Sequence, residues 1–238
     1  MKAGTVKYSL LAIALAAVGI PIVTWWLSVG NPLDYLSGQF PPGQSLYILS
    51  KLAGLLAIGL LGLQCLMALV KRLYTSRWSQ VWEGNRWSKW FHPLLGGLIF
   101  VLILLHVSLF FSAVTLRAGA PAWGLLLPRF DQGFYNRQVS LGLIAFVLLC
   151  LNVFAGWKLA SGKGKWRIGH FLWILILPLS FIHALSIGSE SRIPLMFGFL
   201  LLMSGLLSIA GLVRIRRSIA RGIQTSVPRQ APSFGGNH

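Results

Sequence analysis

The chain is built from long apolar runs with almost no charged residues, separated by shorter polar segments. Six such runs lie at about residues 8–28, 46–70, 91–115, 138–160, 168–188 and 193–213. A helix of about 20 apolar residues crosses the hydrocarbon core of a bilayer, so each run is long enough to span a membrane. The pattern predicts an all-α fold, an integral membrane six-helix bundle that occupies residues 1–221 as one domain.

The distribution of charge sets the expected orientation of these helices. Only 11% of the residues are charged, against about 25% in ordinary soluble domains, which argues against a soluble enzyme. Sixteen of the 21 Lys and Arg residues lie before the first run, between the second and third, at the junction of the fourth and fifth, or after the sixth. The positive-inside rule places these segments in the cytoplasm. We therefore expect a multi-pass protein of the cell inner (cytoplasmic) membrane with both termini cytoplasmic.

The same asymmetry explains the net charge of +17, so this charge indicates membrane lipid as a partner and no nucleic acid. The first run is too long for the apolar part of a signal peptide, and we interpret it as a helix. The last segment, residues 222–238, is polar and rich in Pro, Gly and Ser. That composition predicts a disordered cytoplasmic tail.

Four of the five histidines lie inside the apolar runs, where ionisable side chains are costly and indicate function by default. His92 and His106 are fourteen residues apart on the third run, and His170 and His183 are thirteen apart on the fifth. Both runs start on the cytoplasmic side, so His92 and His170 are expected at one depth. The other two lie about 20 Å farther along their helices. Two layers of paired imidazoles are the arrangement needed to hold two haems, each ligated from two helices.

Two other interpretations apply to these histidines. A single histidine in a membrane helix is more often a polar contact between helices than a metal ligand. Zinc is the other alternative, but a structural zinc site takes four protein ligands. Each pair offers two imidazoles, and no Cys, Asp or Glu stands nearby in the chain. The pairing by depth favours haem over both.

Helix geometry tests the pairing further. At 100° per residue, fourteen residues leave His106 about 40° from His92, so both face one neighbour. Thirteen residues leave His183 about 140° from His170, which a straight helix does not accommodate. A bend at Leu177–Pro178 is predicted to correct this mismatch, because proline kinks helices.

Two stretches around the histidines resemble a known membrane family. The first runs Lys89-Trp-Phe-His-Pro-Leu-Leu-Gly-Gly and leads to His106; the second runs Lys165-Trp-Arg-Ile-Gly-His and leads to His183. They are similar to the ferric reductase-like transmembrane domain. That family includes ferric reductases, NADPH oxidases and the haem-binding subunit of a periplasmic methionine sulfoxide reductase system. The resemblance covers about residues 46–213.

The resemblance implies two haem b groups, an inner one ligated by His92 and His170 and an outer one ligated by His106 and His183. The sulfoxide reductase branch usually lacks one of the third-helix histidines, so one haem is the alternative within the family. The chain departs from the family at Pro93, which follows the first histidine where Arg is frequent.

Basic residues near the haems would pair with the haem propionates. The inner candidates are Arg86, Lys89 and Arg167. The outer candidates are Arg117, Arg129, Arg137 and Arg192. Gln64 and Asn152, in the middle of two runs, are expected to form hydrogen bonds between helices.

The implied function is electron transfer through two stacked bis-histidine haems to an outer-side acceptor, such as a ferric chelate or a periplasmic protein. Relatives often continue into a cytosolic flavin and nicotinamide module. Here about 25 residues follow the sixth run, and no Gly-x-Gly-x-x-Gly motif follows a strand. We therefore expect a separate cytosolic donor, a flavoprotein or an iron–sulfur protein. The chain is then an oxidoreductase-type membrane subunit in which no residue is assigned as catalytic.

Two other functions stay open at this point. One is a respiratory cytochrome b subunit that exchanges electrons with membrane quinone. The other is a haem-poor membrane anchor of a larger complex. The basic inner face could dock an acidic donor, but topology and anionic lipid fully account for its charge and are the favoured interpretation.

Overall fold

The computed structural model describes residues 3–36, 39–73, 86–131, 133–162 and 166–226, and all regular structure in these ranges is helical. The α-helices are α1 (Ala3–Val29), α2 (Gln44–Leu73), α3 (Arg86–Ala118), α4 (Gly133–Ala160), α5 (Arg167–His170), α6 (Trp173–Ile187) and α7 (Pro194–Ser226). Three short 3₁₀ helices lie in the connections, at Pro32–Leu36, Trp123–Leu126 and Glu190–Arg192.

Five of these helices, α1, α2, α3, α4 and α7, are long and apolar enough to cross a membrane. The sixth apolar helix, α6, has 15 residues and is shorter. Large apolar side chains such as Leu94, Leu98 and Leu202 are exposed on the helix surfaces, where lipid would cover them. The chain is therefore an all-helical, multi-pass membrane protein, as the sequence predicts.

Helix α2 is the centre of the bundle and the most buried of the spanning helices. It packs against α1, α3 and α7. Buried residues such as Leu63, Leu200 and Met203 form the core between α2 and α7. Helix α1 approaches closely at Gly59, where an added Cβ would collide with the backbone carbonyl of Ala17.

Helices α3 and α6 lie on opposite sides of a space that helix packing does not fill. Helix α3 packs closely on α2 but only sparsely on α4, whereas α6 packs on α4. The four histidines of the apolar runs lie on α3, α5 and α6. The fold therefore places them on the two sides of one gap.

The fifth predicted span is interrupted by a turn at Phe171 and Leu172, which the sequence does not predict. Helix α6 is continuous through Pro178, so the bend at Leu177–Pro178 stays a prediction. The amide of Leu172 donates to the carbonyl of Gly169, three residues earlier, and the next residues continue this 3₁₀ pattern. A residue in 3₁₀ geometry turns about 20° more than one in an α-helix, which reduces the mismatch between His170 and His183.

The last helix ends later in the chain than the predicted boundary between the domain and its tail. Helix α7 continues to Ser226, so residues 222–226 are helical where the sequence predicts a disordered tail. Residues 227–238 lie outside the described part of the chain, and so does the rest of that prediction.

The close approach of α1 and α2 gives a test of the packing. Replacing Gly59 with Ala should separate the two helices and lower the free energy of unfolding by about 1–3 kcal/mol, the usual result of overpacking. Thermal unfolding in detergent, followed by circular dichroism, measures the effect. Gly19→Ala is the matched control on α1, because an added Cβ there has no neighbour within 4 Å. Equal stability of the two variants would contradict the packing.

Candidate functional site

The four membrane histidines meet in two pairs. The imidazole centres of His92 and His170 are 6.0 Å apart with their planes at 90°. Those of His106 and His183 are 6.4 Å apart with their planes at 77°. Each pair joins α3 to the interrupted fifth span. The pairing predicted from depth is confirmed, and the two histidines of α3 do face the same neighbour.

The pair of His106 and His183 is called the outer pair, and that of His92 and His170 the inner pair, after the predicted orientation. In the outer pair, a backbone carbonyl holds the Nδ1 atom of each ring. Nδ1 of His106 lies 2.8 Å from the carbonyl oxygen of Ser50, and the Ser50 hydroxyl donates to the His106 carbonyl at 3.0 Å. Nδ1 of His183 lies 2.7 Å from the carbonyl oxygen of Gln138. A neutral imidazole has one N–H, and these contacts place it on Nδ1. Nε2 then keeps its lone pair as a ligand atom.

The inner pair is held in two different ways. Nδ1 of His170 lies 3.4 Å from the carbonyl oxygen of Asn152. Nδ1 of His92 instead meets a side chain, with Nε2 of Gln64 at 3.2 Å. The predicted contact between helices is thus confirmed for Gln64. At Asn152 it is the backbone that makes the contact, and within the described residues the side-chain oxygen Oδ1 is buried without a hydrogen bond.

Three of the imidazoles lie directly against a glycine of the neighbouring helix. A Cβ added at any of these glycines would come within 2.6 to 3.2 Å of the ring. The contacts are Gly54 with His106, Gly142 with His183, and Gly156 with His170. A Cβ at Gly54 or Gly142 would occupy the space of the ring, and a Cβ at Gly156 would displace the ring by a few tenths of an ångström.

These glycines follow a spacing that the sequence analysis missed. Each stands four residues after the hydrogen-bond acceptor, giving the pairs Ser50 with Gly54, Gln138 with Gly142, and Asn152 with Gly156. In an α-helix, the carbonyl of residue i accepts from the amide of residue i+4. Glycine at i+4 leaves one side of that carbonyl open, so an imidazole can reach its second lone pair.

The acceptors also repeat along their helices. Ser50 and Gln64 are fourteen residues apart on α2, and Gln138 and Asn152 are fourteen apart on α4. This is the spacing of His92 and His106 on α3. A polar residue that recurs every fourteen positions, opposite histidines fourteen apart on α3 and thirteen apart on the fifth span, is the signal that could have identified these partners from the chain.

The spacing of each pair would let its two imidazoles bind one metal atom. A metal–imidazole bond is about 2 Å long, and the ring nitrogen lies about 1 Å from the centre of its ring. Two imidazoles bound to one metal atom would therefore have centres up to about 6 Å apart, and the centres of the two pairs are 6.0 and 6.4 Å apart. Among the described residues, no three His, Cys, Asp or Glu side chains form a cluster that could hold a metal ion. The remaining ligands would have to come from a non-protein group such as a porphyrin.

A cavity lies beside the outer pair, between α2, α3, α4 and α6. Most of its walls are apolar, and the polar groups that line it include Tyr47, Lys51, Tyr135 and Glu190. The 3₁₀ helix Trp123–Leu126 covers part of it through Leu125 and Leu126. The segment between α3 and α4 is therefore part of the wall of this cavity.

The outer arginines lie elsewhere in the described structure, because none of the four lines this cavity. Arg117 donates to the side-chain oxygen of Gln44 and lies over the ring of Tyr47. Arg129, Arg137 and Arg192 are exposed. The cation in the cavity wall is Lys51, which the sequence analysis did not select.

The inner candidates are placed by their backbone alone. Arg86 and Lys89 lie in the first turns of α3, before His92, and Arg167 begins α5 three residues before His170. Their side chains lie outside the described part of the structure.

Lys51 belongs to an ion pair at the end of the bundle that carries His106 and His183. Its Nζ lies 2.8 Å from Oε1 of Glu190 and donates to the Ser189 hydroxyl at 2.7 Å. The Ser28 hydroxyl donates to the same Glu190 oxygen at 3.0 Å, and Glu190 is 3% exposed. Burial alone would raise the pKa of Glu190, but the hydrogen bond and charge of Lys51 outweigh it and lower this pKa. The pair connects α1, α2 and the segment between α6 and α7.

Comparison of the chain with protein families, with curated proteins and with solved structures finds no match. The geometry of the two pairs therefore carries the functional assignment. Its parts are the spacing between the ring centres, the partners of the Nδ1 atoms and the glycines against the rings.

Breaking the ion pair tests its contribution. Replacing Lys51 with Met should lower the free energy of unfolding by about 3 kcal/mol, because a buried carboxylate is left without its cation. The double variant Lys51→Met/Glu190→Gln should be less affected. Since the pKa of Glu190 is lowered, its contribution is present above the ordinary carboxyl pKa of about 4. It is lost as the pH falls through the lowered pKa.

Thermal unfolding in detergent at a series of pH values measures the contribution of the Lys51–Glu190 ion pair to stability. Below about pH 4 the stability of wild type should fall towards that of Glu190→Gln. A constant difference between the two proteins over the acid range would contradict the assignment.

Proposed function

We propose that this protein carries electrons across a membrane through two haem b groups. His92 and His170 would ligate the inner haem, and His106 and His183 the outer haem. The observation that carries the proposal is the hydrogen bonding of the imidazoles at Nδ1. His106, His183 and His170 each direct Nδ1 to a backbone carbonyl, which leaves Nε2 as the ligand atom. Imidazoles that ligate metals are usually held through the other ring nitrogen in this way.

The resemblance to the ferric reductase-like transmembrane domain supports the same assignment. A bound haem supplies one-electron redox chemistry at its iron. The protein supplies the rest: four ligands fixed by hydrogen bonds, glycines that let the rings approach the helices, and apolar walls that keep water away. Along α3 the two layers are about 20 Å apart.

The membrane arrangement is part of the proposal. Helices α5 and α6 with the turn between them cover residues 167–187, about 30 Å of helix, which is enough to cross the hydrocarbon core. Counted with the five longer helices, they give six crossings. The positive-inside rule then places both termini in the cytoplasm and the pair of His92 and His170 near that side.

The propionates of the bound haems would need cations near the two histidine pairs. At the outer haem, Lys51 lines the cavity and is the first candidate for a propionate, ahead of the four exposed outer arginines. At the inner haem, Arg86, Lys89 and Arg167 stand within six residues of a ligand. The electron donor in this scheme is a cytosolic flavoprotein or iron–sulfur protein, and the acceptor is a ferric chelate or a protein on the outer side.

Haem content tests the proposal directly. The purified protein should contain about two haems per chain and show the reduced-minus-oxidised spectrum of low-spin b-type haem. His106→Ala and His183→Ala should each remove the outer haem, leave the inner one in place and stop electron transfer to an outer acceptor. Haem extraction and the spectrum give both readouts. If protein purified from cells supplied with ample haem contains none, a membrane anchor becomes the better interpretation.

The glycines provide a test that leaves all four histidines in place. Gly142→Ala puts a Cβ 2.6 Å from the His183 ring, so the ring must move and about half of the haem should be lost. Alanine favours a helix over glycine by about 1 kcal/mol, so a loss would come from the collision. Gly97→Ala is the matched control on α3, because nothing lies within 4 Å of the added Cβ. Full haem content in Gly142→Ala would contradict the site.

A further inference from the structure

One of the four imidazoles is held differently from the others. His106, His183 and His170 face backbone carbonyls, which no substitution removes. Nδ1 of His106 also lies 3.1 Å from the Ser50 hydroxyl, but its carbonyl contact does not depend on that side chain. His92 faces the side-chain amide of Gln64 at 3.2 Å. The inner pair therefore has a contact that depends on the identity of a single side chain.

The sequence of α2 accounts for this difference. Gln64 stands fourteen residues after Ser50, at the position where the pattern places the next acceptor. The residue four positions later is Ala68, whereas each of the other three acceptors is followed at that distance by glycine. With a Cβ at this position the Gln64 carbonyl is less accessible, and the side chain makes the contact with His92 instead.

Helix α3 makes room for this side chain. Gly96 lies one turn after His92, and a Cβ added there would be 3.3 Å from Nε2 of Gln64. The neighbouring Gly97 has nothing within 4 Å of an added Cβ. Of the two adjacent glycines, Gly96 thus lies tightly against the amide of Gln64 and Gly97 lies in open space.

The amide of Gln64 can supply an acceptor oxygen to Nδ1 of a ligating His92. Oε1 of Gln64 is buried and has no hydrogen-bond partner among the described residues. A half-turn of the amide exchanges its oxygen and nitrogen without moving the rest of the side chain. It places Oε1 against Nδ1 at hydrogen-bond distance, and the N–H of His92 then donates to it.

We propose that Gln64 is a positioning residue that orients His92 and sets the reduction potential of the inner haem. This rests on the proposed function. A hydrogen bond from Nδ1–H to an oxygen increases the electron density on the imidazole and favours the ferric state. Removing the acceptor should therefore raise the potential of the inner haem and leave that of the outer haem unchanged.

The experiment is a spectroelectrochemical titration of the purified, haem-loaded protein. Gln64→Met keeps the length of the side chain but removes the acceptor. It should raise the reduction potential of the titration step that belongs to the inner haem. We expect about a tenfold change in its reduction equilibrium, or about 59 mV for one electron. Gln64→Glu keeps an acceptor oxygen, so its inner potential should stay at or below that of wild type. The haem that responds must be the one that remains in His106→Ala.

Gln138→Met is the matched control. Gln138 also touches a ligand histidine, but through its backbone carbonyl, and its side-chain oxygen has no partner within the described residues. The same substitution there should change neither potential. Gly96→Ala, which displaces the Gln64 amide without removing it, should raise the inner potential less than Gln64→Met does, while Gly97→Ala should have no effect.

The outcomes separate this inference from the proposed function. Two haems with an unchanged inner potential in both Gln64→Met and Gly96→Ala would overturn the role of Gln64 and leave the proposed function standing. An equal shift of both potentials, or an equal shift in Gln138→Met, would also overturn it. If Gln64→Met does not assemble, an inner potential in Gln64→Glu above that of wild type would overturn it. Wild-type protein without haem would overturn the proposed function and this inference with it.

Discussion

A neutral imidazole inside a bilayer has two ring nitrogens, and with no water nearby each of them needs a partner from the protein or from a bound group. At His106 and His183 the protein satisfies Nδ1 with a carbonyl of a neighbouring helix, at 2.8 and 2.7 Å. Much of the bundle follows from that requirement. Helices α2 and α4 must pass close enough to the rings to present a carbonyl, which explains their glycines and the arrangement of α3 and α6 around an unfilled space.

Because each Nδ1 atom needs an acceptor from another helix, the histidines and their acceptors lie on different helices. Helix α3 carries histidines at a separation of fourteen residues, and α2 and α4 carry the acceptors at the same separation. Three helices of equal rise therefore stay in register over two layers. The ion pair of Lys51 and Glu190 closes the outer end of this arrangement, where α2 meets the segment between α6 and α7. It lies in the wall of the cavity beside the outer pair, so the same lysine serves the packing and faces the candidate site.

The helical membrane fold and the pairing of the histidines could be predicted from the sequence, because both depend on helical periodicity. The length of a hydrophobic run indicates whether a helix can cross the membrane. The rotation of 100° per residue in an α-helix indicates which residues share a face. The break at Phe171 and Leu172 could not be predicted in this way, since local 3₁₀ bonding is decided by packing as well as by proline. Lys51 was missed because a cation at the start of a membrane helix resembles a topology determinant. Its pairing with Glu190 depends on a contact 139 residues away in the chain.

The break at Phe171–Leu172 has an evolutionary consequence. Deleting one residue between the two histidines of α3 would rotate one ring by about 100° and move it 1.5 Å along the axis. The same change in α2 or α4 would shift one acceptor relative to the other. In these three helices the length between the layers is therefore fixed. The fifth span carries its own irregular turn, which can absorb a gained or lost residue by changing its winding. Among distant relatives of this chain, insertions and deletions between the two layers should accumulate in this span.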